Sequence, residues 1–196
     1  MNFEKLYKEK NIVQLKNLAD VRFGYYVQPE AKGDVQYIQA RQFDGLGNMV
    51  SLSESSIDKD KKSEEHLLSE GDILFAGKGY RNFAWCYHRN YGPAIASSIF
   101  FVIRPDQNIV LPEYLTILFN RQKSQAYFAK LGAGTSINSI RKNELGEFKV
   151  PLLPMEQQHK VIALNKLHSK YMKLTQEMLQ LKVQRFESVI DQLINI

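Results

Sequence analysis

Cysteine is almost absent from the 196-residue sequence, which contains Cys86 alone. A single cysteine excludes an internal disulfide and any zinc site built on several cysteines. The four histidines do not change this conclusion, because none of them stands in an HExxH pair or in another spacing typical of metal ligands. We therefore expect no metal site.

Long apolar runs are also absent. No run approaches the roughly 18 residues of a membrane-spanning helix, and the first ten residues, MNFEKLYKEK, lack the apolar centre of a signal peptide. Hydrophobic residues nevertheless make up 44% of the chain and charged residues 24%, which is enough for a core and a hydrated surface. We expect a cytoplasmic protein with no membrane partner.

The stretch GDILFAGKG, residues 71–79, looks like a phosphate-binding loop but does not satisfy its spacing. Five residues separate Gly71 from Gly77 where the loop requires four, and Gly79 occupies the position of the Ser or Thr that would bind magnesium. The apolar residues 73–75 predict a buried strand instead. The sequence therefore argues against a nucleotide site here.

A second glycine motif, FDGLG at residues 43–47, matches the F-x-G-x-G pattern of adenosylmethionine-binding methyltransferases. That motif leads from a strand into a helix, whereas the residues that follow here, NMVSLS, favour another strand, so a hairpin turn is the better interpretation. No Asn/Asp-Pro-Pro-aromatic catalytic tetrapeptide occurs in the chain. We expect neither a catalytic residue nor a bound cofactor.

Positive charge is in excess and unevenly distributed. The net charge is +5; residues 1–70 carry 10 basic and 12 acidic side chains, whereas residues 71–150 carry 10 and 5. Such a bias is typical of a face that binds phosphates, although a solvated surface is the alternative.

Short strands separated by turns are predicted over the first 110 residues. The strand-like segments are rich in Val, Ile, Phe and Tyr: IVQL, VQYIQARQF, MVSLS, GDILFA, FAWCYH and SSIFFVIRP. Residues 56–66 have mixed charge and predict an exposed loop or a short surface helix. One helix is predicted from Pro112 to a stop at Gly132, with a packed face formed by Tyr114, Leu115, Leu118, Phe119, Tyr127, Phe128 and Leu131. Together the segments predict an α+β fold.

The last forty residues differ in character, because Met155 to Asn195 contain neither Gly nor Pro. One helix of that length would extend about 60 Å, so we expect it to project and to find a partner in a coiled coil or a bundle. Its apolar seam alternates steps of three and four, as in a coiled coil, and then shifts to a neighbouring face; a helix folded back on the domain is the alternative. The seam residues are Leu164, Leu167, Tyr171, Leu174, Met178 and Leu181, followed by Phe186 and Ile190.

The order of these segments resembles type I restriction-modification specificity (S) subunits, which combine a target recognition domain with a conserved helical region. The resemblance runs from IVQLKNLADVRFG through GDILFAGKG and PEYLTILFN into the long helix. Its most specific part is GTSINSIRKNELGEFKVPLLPMEQQHKVIA, in which Ile140 and Leu145 precede VPLLP and then Glu156, Gln157 and Gln158. The family has an Ile-Pro-Leu-Pro-Pro type sequence there, followed by Glu-Gln.

The resemblance implies a non-catalytic subunit. A recognition domain of mixed α/β fold, residues 1–152, would read a short half-site in double-stranded DNA. The helix, residues 153–196, would pair antiparallel with a second such helix and dock onto the modification subunits of a type I DNA adenine methyltransferase, which bind adenosylmethionine and methylate adenine. A restriction (nuclease and translocase) subunit is a further candidate partner.

Family members usually contain two recognition domains and two helical regions, whereas this chain has one of each. We expect either a half-length subunit that forms a homodimer or a fragment of a longer specificity protein. In a symmetric dimer both domains would read the same half-site, so the target would be an interrupted palindrome whose gap the helix pair sets.

Three groups of polar residues are candidates for DNA contact because their side chains bond base edges or phosphates. The first group follows the strand of residues 73–76, the second precedes the Asp-Gly turn, and the third lies around the turn before VPLLP. The groups are Lys78, Tyr80, Arg81 and Asn82; Arg41 and Gln42; and Ser136, Asn138, Arg141 and Lys142.

A second hypothesis comes from a different functional class. The long helix could be the active surface of a coiled-coil protein interaction module whose globular part does not bind DNA. The excess of basic residues after residue 71 favours the DNA specificity subunit over this alternative.

Overall fold

The computed structural model describes residues 11–28, 33–44, 47–50, 55–58, 60–79, 81–131 and 139–194. Most of the strands lie before Pro112 and most of the α-helices begin there or later, as the sequence predicted. The strands are β1 (Asn11–Gln14), β2 (Ala19–Phe23), β3 (Val35–Ile38), β4 (Ser56–Ile57), β5 (Ile73–Ala76), β6 (Ala84–Cys86), β7 (Ala94–Ala96), β8 (Phe100–Pro105) and β9 (Lys149–Leu152). The α-helices are α1 (Lys61–Glu65), α2 (Pro112–Asn120), α3 (Gln122–Leu131), α4 (Lys142–Gly146) and α5 (Met155–Ile194).

The strands form three sheets, which confirms the α+β class. An antiparallel sheet has the order β2-β8-β5-β6, and a second sheet has the order β4-β3-β7 with β3 and β7 parallel. The ribbon β1-β9 is antiparallel and joins the start of the described chain to the segment before α5. A parallel bridge between Tyr25 and Ser97 links the end of β2 to the end of β7.

Strand β5 is buried along its whole length, as its apolar run predicted. On one face, the Phe75 ring packs against Phe119 of α2 and Phe128 of α3, with centroids 5.4 and 4.8 Å apart. On the other face, Leu74 joins a cluster that includes Ile38 and Phe100. Because both faces are covered, every side chain of β5 contributes to the core.

A buried carboxylate stands immediately before β5. Asp72 is fully buried, and its two oxygens accept hydrogen bonds from Nε and Nη2 of Arg104 on β8, both at 2.7 Å. The backbone N–H of Ser69 donates to the same carboxylate at 2.8 Å, and Nη2 of Arg22 on β2 lies 3.5 Å from it. The bond to Asp72 raises the pKa of Arg104. A bidentate pair of this kind fixes the orientation of both side chains. Asp72 therefore aligns the segment before β5 with strands β2 and β8.

The helix predicted from Pro112 to residue 131 is two helices, and this part of the prediction is wrong. Arg121 has extended backbone angles, with φ −66° and ψ 144°, and separates α2 from α3. The side chain of Asn120 receives a hydrogen bond from the Ala84 N–H (2.9 Å) and donates one to the Ala84 carbonyl (2.8 Å), so it pairs with the open edge of β6. The packed face that was predicted for one continuous helix also differs from the structure. Phe128 is buried as predicted, whereas Tyr127 is 37% exposed.

Two of the predicted strands also differ from the structure. VQYIQARQF is extended only as far as Ile38 and then forms a 3-10 helix, Ala40–Gln42. The Gln42 Oε1 atom accepts a hydrogen bond from the Gln39 N–H at 2.7 Å, and this bond replaces a ladder bond. Of MVSLS, Met49 makes one bridge to Phe43, and residues 51–54 lie outside the described residues.

The long C-terminal helix is confirmed, since α5 is a single helix of 40 residues. The chain divides into two compact units, the first ending at Gln158 and the second beginning at His159. In the first unit, the Gln158 amide is fully buried, accepting from the Leu111 N–H at 2.8 Å and donating to the Leu153 and Ile109 carbonyls. Within the described residues, no helix is long and apolar enough to cross a membrane.

Replacing Asp72 by Ala should lower the free energy of unfolding by about 3 kcal/mol, because it removes the shared acceptor of Arg104 and Ser69 from a buried site. Urea denaturation of the full chain measures this. Lys16→Ala is the matched control, since it breaks an ion pair to Glu147 whose side chains are about half exposed, and it should cost less than about 1 kcal/mol. Equal losses in the two variants would contradict the role given to Asp72.

Candidate nucleic-acid interface

Several chain segments of the four-stranded sheet end at the same place. The register pairs Ala76 with Phe100 and Phe75 with Ala84, so the end of β5 lies beside the starts of β8 and β6. Phe23, the last residue of β2, pairs with Phe101 and therefore lies at this end too. We call this edge the loop end of the sheet. The turn that contains Lys78 and Arg81 leaves β5 here.

At the loop end, Lys78 of the first predicted group meets the chain segment that leads into Arg141 of the third group. Lys78 forms an isolated antiparallel bridge with Ser139, and the Gly77 carbonyl accepts a hydrogen bond from the Ile140 N–H at 2.9 Å. Lys78 is exposed, with no side-chain ion pair to any described residue. Its ammonium group is thus available to an external anion. Tyr80, Ser136 and Asn138 lie outside the described residues.

Arg81 brings the second group to the same edge. Its Nη2 atom donates a hydrogen bond to the Asp44 carbonyl at 2.6 Å, and its guanidinium carbon lies 5.5 Å from the centroid of the Phe83 ring. Asp44 belongs to the turn predicted from FDGLG, which closes with a hydrogen bond from the Asp44 N–H to the Asn48 carbonyl. Arg81 is exposed despite these contacts, so part of its donor fork faces solvent.

The remaining members of these two groups differ in exposure. Arg41 is exposed on the 3-10 helix that precedes Asp44. Gln42 is only 2% exposed and bonds the backbone of Gln39, as described above. Asn82 is half-buried, and its Nδ2 atom donates to the Ala76 carbonyl at 2.8 Å. Both amides therefore hold the loops in place, whereas the guanidinium group of Arg41 is exposed to solvent.

Arg141 and Lys142 follow Ser139 and are both exposed. The Arg141 N–H donates to Oε2 of Glu144 at 2.8 Å, which caps the short helix α4. Lys142 lines a polar groove with Lys16, Asp20 and other residues at the start of β2. Since Phe23 ends β2 at the loop end, Lys142 lies toward the opposite end of that strand, and it is not brought together with Lys78.

Gly77 is required by packing. A Cβ atom at Gly77 would lie 2.4 Å from Cε2 of Phe101, because the Phe101 ring covers the glycine. The ring closes the core directly below the Lys78 turn. The need for a glycine at this position could not be predicted from the sequence, because Phe101 is distant along the chain.

Sequence reasoning missed two residues that assemble this edge. Asp44 contributes a carbonyl to Arg81, and Ser139 pairs with Lys78. Neither contact has a signal in the sequence, because a carbonyl is common to all residues and a serine in a polar turn is ordinary. The pairings depend on the fold.

Comparison with known families identifies the family of this chain. The family model described as the type I restriction modification DNA specificity domain matches residues 7–182, most of the chain. The chain belongs to this family. A comparison of this specificity domain with curated proteins gives no match.

Solved structures share the fold of this specificity domain at low sequence identity. A type I restriction-modification S subunit from M. genitalium has a TM-score of 0.59 at 14% identity, and the match covers 83% of this chain and 40% of that one. The HsdS subunit from Thermoanaerobacter tengcongensis gives 0.60 at 14%, covering 85% and 39%. A chain from work on complex assembly and conformational transition of the type I restriction-modification system gives 0.58 at 16%, covering 84% and 39%. The specificity domain therefore spans about two fifths of the length of these chains.

Gly77→Ala should lower the free energy of unfolding by about 1 to 3 kcal/mol, because the added methyl group forces the Phe101 ring out of its position. Gly146→Ala is the control. A Cβ there would lie 3.4 Å from the Lys16 Cβ, which is an ordinary contact, so Gly146→Ala should not lower the free energy of unfolding. Denaturation curves of both variants test this, and an unchanged midpoint for Gly77→Ala would show that Phe101 does not constrain the turn.

Proposed function

We propose that this chain recognises DNA as part of a type I specificity subunit, and that the loop end of the sheet contacts the duplex. The observation that carries the proposal is that the Lys78–Ser139 bridge and the Arg81–Asp44 hydrogen bond bring the turn of the first group beside the chain segments that carry Arg141 and Arg41. Membership in the DNA specificity domain family supports it. Cations that project from a backbone-braced edge suit a binding surface for phosphates and base edges.

Different roles follow from the contacts of the individual side chains. Lys78 and Arg41 are exposed cations and would bind phosphates. Arg81 keeps donors exposed and can make a bidentate contact with guanine. Gln42 and Asn82 would act through the loops they brace and not by touching bases.

The third group extends this surface along the chain. Arg141 would bind a phosphate beside the Lys78 turn, and Lys142 would contact the backbone farther from the reading loops. Tyr80, Ser136 and Asn138 remain candidates on the strength of their position in the sequence and their side-chain chemistry.

We further propose that this subunit does not catalyse methylation. In this proposal, separate modification subunits bind adenosylmethionine and methylate adenine, and the chain positions them on the target. A restriction subunit could join the same complex. The boundary we propose separates a recognition domain, residues 1–152, from a helix for partners, residues 153–196.

The second unit supports a role in assembly. The six residues of the predicted seam, from Leu164 to Leu181, are between 51% and 67% exposed. A stripe of large apolar side chains on a helix surface indicates a protein contact. We infer an antiparallel pair with a second such helix, supplied by another copy of the chain, together with docking on modification subunits. Two copies would read an interrupted palindrome.

Lys78→Ala should weaken binding to duplex DNA and reduce the slope of log affinity against log salt by about 1, because one phosphate contact is lost. The measurement is fluorescence anisotropy with duplexes selected from a randomised library, at several salt concentrations. Lys123→Ala is the matched control. Lys123 is exposed on α3, where it lines a pocket with Phe148 and Lys149, and its loss should leave the slope unchanged.

The same titration separates the two functional classes. If the wild-type chain shows no salt-dependent affinity for any duplex, DNA recognition by this chain is wrong and the interaction module is favoured. If Lys78→Ala and Lys123→Ala behave alike while the wild type binds, DNA recognition stands and the loop end is not its site.

Leu174→Glu should abolish self-association, because it puts a charge in the middle of the apolar seam. Sedimentation velocity over a range of protein concentrations measures this. Gln176→Glu adds the same charge on the same helix outside the seam and should leave association unchanged. A wild-type chain that stays monomeric at high concentration would contradict pairing between two copies.

A further inference from the structure

A row of three phenylalanines crosses the four-stranded sheet at its loop end. Phe75 on β5 pairs with Phe101 on β8, and Phe101 pairs with Phe23 on β2. Directly paired residues of antiparallel strands project from the same face, so the three rings form one row. Phe75 is fully buried and Phe101 is 2% exposed, whereas Phe23 is 54% exposed. The row therefore begins in the core and ends at the surface.

The backbone that carries Phe23 is held in place, and its ring packs on one neighbour. Its centroid lies 5.2 Å from that of Phe101. Residues on both sides of it are fixed, because Arg22 pairs with Val102 and the Gly24 N–H donates to the Phe100 carbonyl at 2.9 Å. Gly24 itself has no room for a side chain, since a Cβ would lie 2.1 Å from the Ser97 carbonyl oxygen. An exposed aromatic ring on so constrained a backbone is pre-organised for contact.

Phe23 also lies beside the proposed DNA-binding loops. The Phe101 ring that supports Phe23 is the ring that covers Gly77, the residue before Lys78. Phe23 and the Lys78 turn therefore flank one buried ring, and both face solvent at the loop end. A surface that neutralises phosphates through Lys78 would bring base edges toward its neighbours.

We propose that Phe23 reads a thymine by apolar contact with the C5-methyl group in the major groove. The ring offers no hydrogen bond and no charge, so it cannot bind a phosphate or a polar base edge. The thymine methyl group is the one apolar feature of the major-groove edge, and phenylalanine is among the side chains that contact it. This inference rests on the proposed function and adds a residue outside the three predicted groups.

The test removes the methyl group and the ring separately. Each thymine of a selected duplex is replaced in turn by deoxyuridine, which pairs identically but lacks the methyl group. At one position the wild-type chain should lose about fourfold in affinity, which corresponds to about 0.8 kcal/mol for one buried methyl group. Phe23→Ala should bind the unmodified duplex about fourfold more weakly and should show no further loss at that position.

Two further variants make the result specific. Tyr26→Ala removes an aromatic side chain that is 81% exposed three residues later, and it should retain the wild-type response to deoxyuridine. Phe23→Leu keeps an apolar surface and should retain part of the response. The denaturation midpoint of each variant shows that it is folded before its affinity is compared.

The outcomes distinguish this inference from the function on which it rests. If the wild type binds DNA but no thymine position responds, or if Phe23→Ala responds as the wild type does, the role of Phe23 is overturned and DNA recognition stands. If the wild type binds no duplex, the proposed function fails first. A response lost only in Phe23→Ala supports the inference.

Discussion

The buried carboxylate of Asp72 is the constraint on which the rest of the first unit depends. It precedes the central strand β5 and accepts both bonds of the Arg104 fork from β8, while Arg22 of β2 approaches the same oxygens. A charge with no exposed surface is tolerated only where such partners surround it. Asp72 therefore fixes the relative positions of three strands at one end of the sheet. The loops that we assign to DNA leave the opposite end of those strands.

The candidate interface is braced mainly by backbone groups. The Lys78–Ser139 bridge, the Arg81 bond to a carbonyl and the Asn82 bond to the Ala76 carbonyl all use main-chain atoms. Main-chain partners are present whatever side chain occupies the position. Exposed side chains at this edge can therefore change while the edge keeps its shape, which on the proposed function would let one scaffold present different reading residues.

Local features were predictable from the sequence and distant pairings were not. The apolar run of β5 and the uninterrupted α5 follow from composition and periodicity. The break at Arg121 could not be predicted, because the Asn120 side chain beside it forms hydrogen bonds with Ala84 of β6, which is distant along the chain. The candidate residues were found as separate groups, and only the fold joins Lys78 to Ser139. Gln42 was a candidate because its amide can form hydrogen bonds with a base edge. The same amide can equally form hydrogen bonds with the backbone. Phe23 carried no polar signal at all.

The exposed stripe on α5 has a consequence for selectivity in a genome. A single recognition unit that reads a few bases meets its half-site very often among competing sequences, so its affinity alone cannot define a useful target. Joining two units lengthens the sequence that must match, and it makes the second contact intramolecular at a high effective concentration. On the proposed function, selectivity would then rise and fall with the amount of protein available to pair. Through the exposed apolar residues of α5, the selectivity of DNA recognition would thus depend on the concentration of the chain.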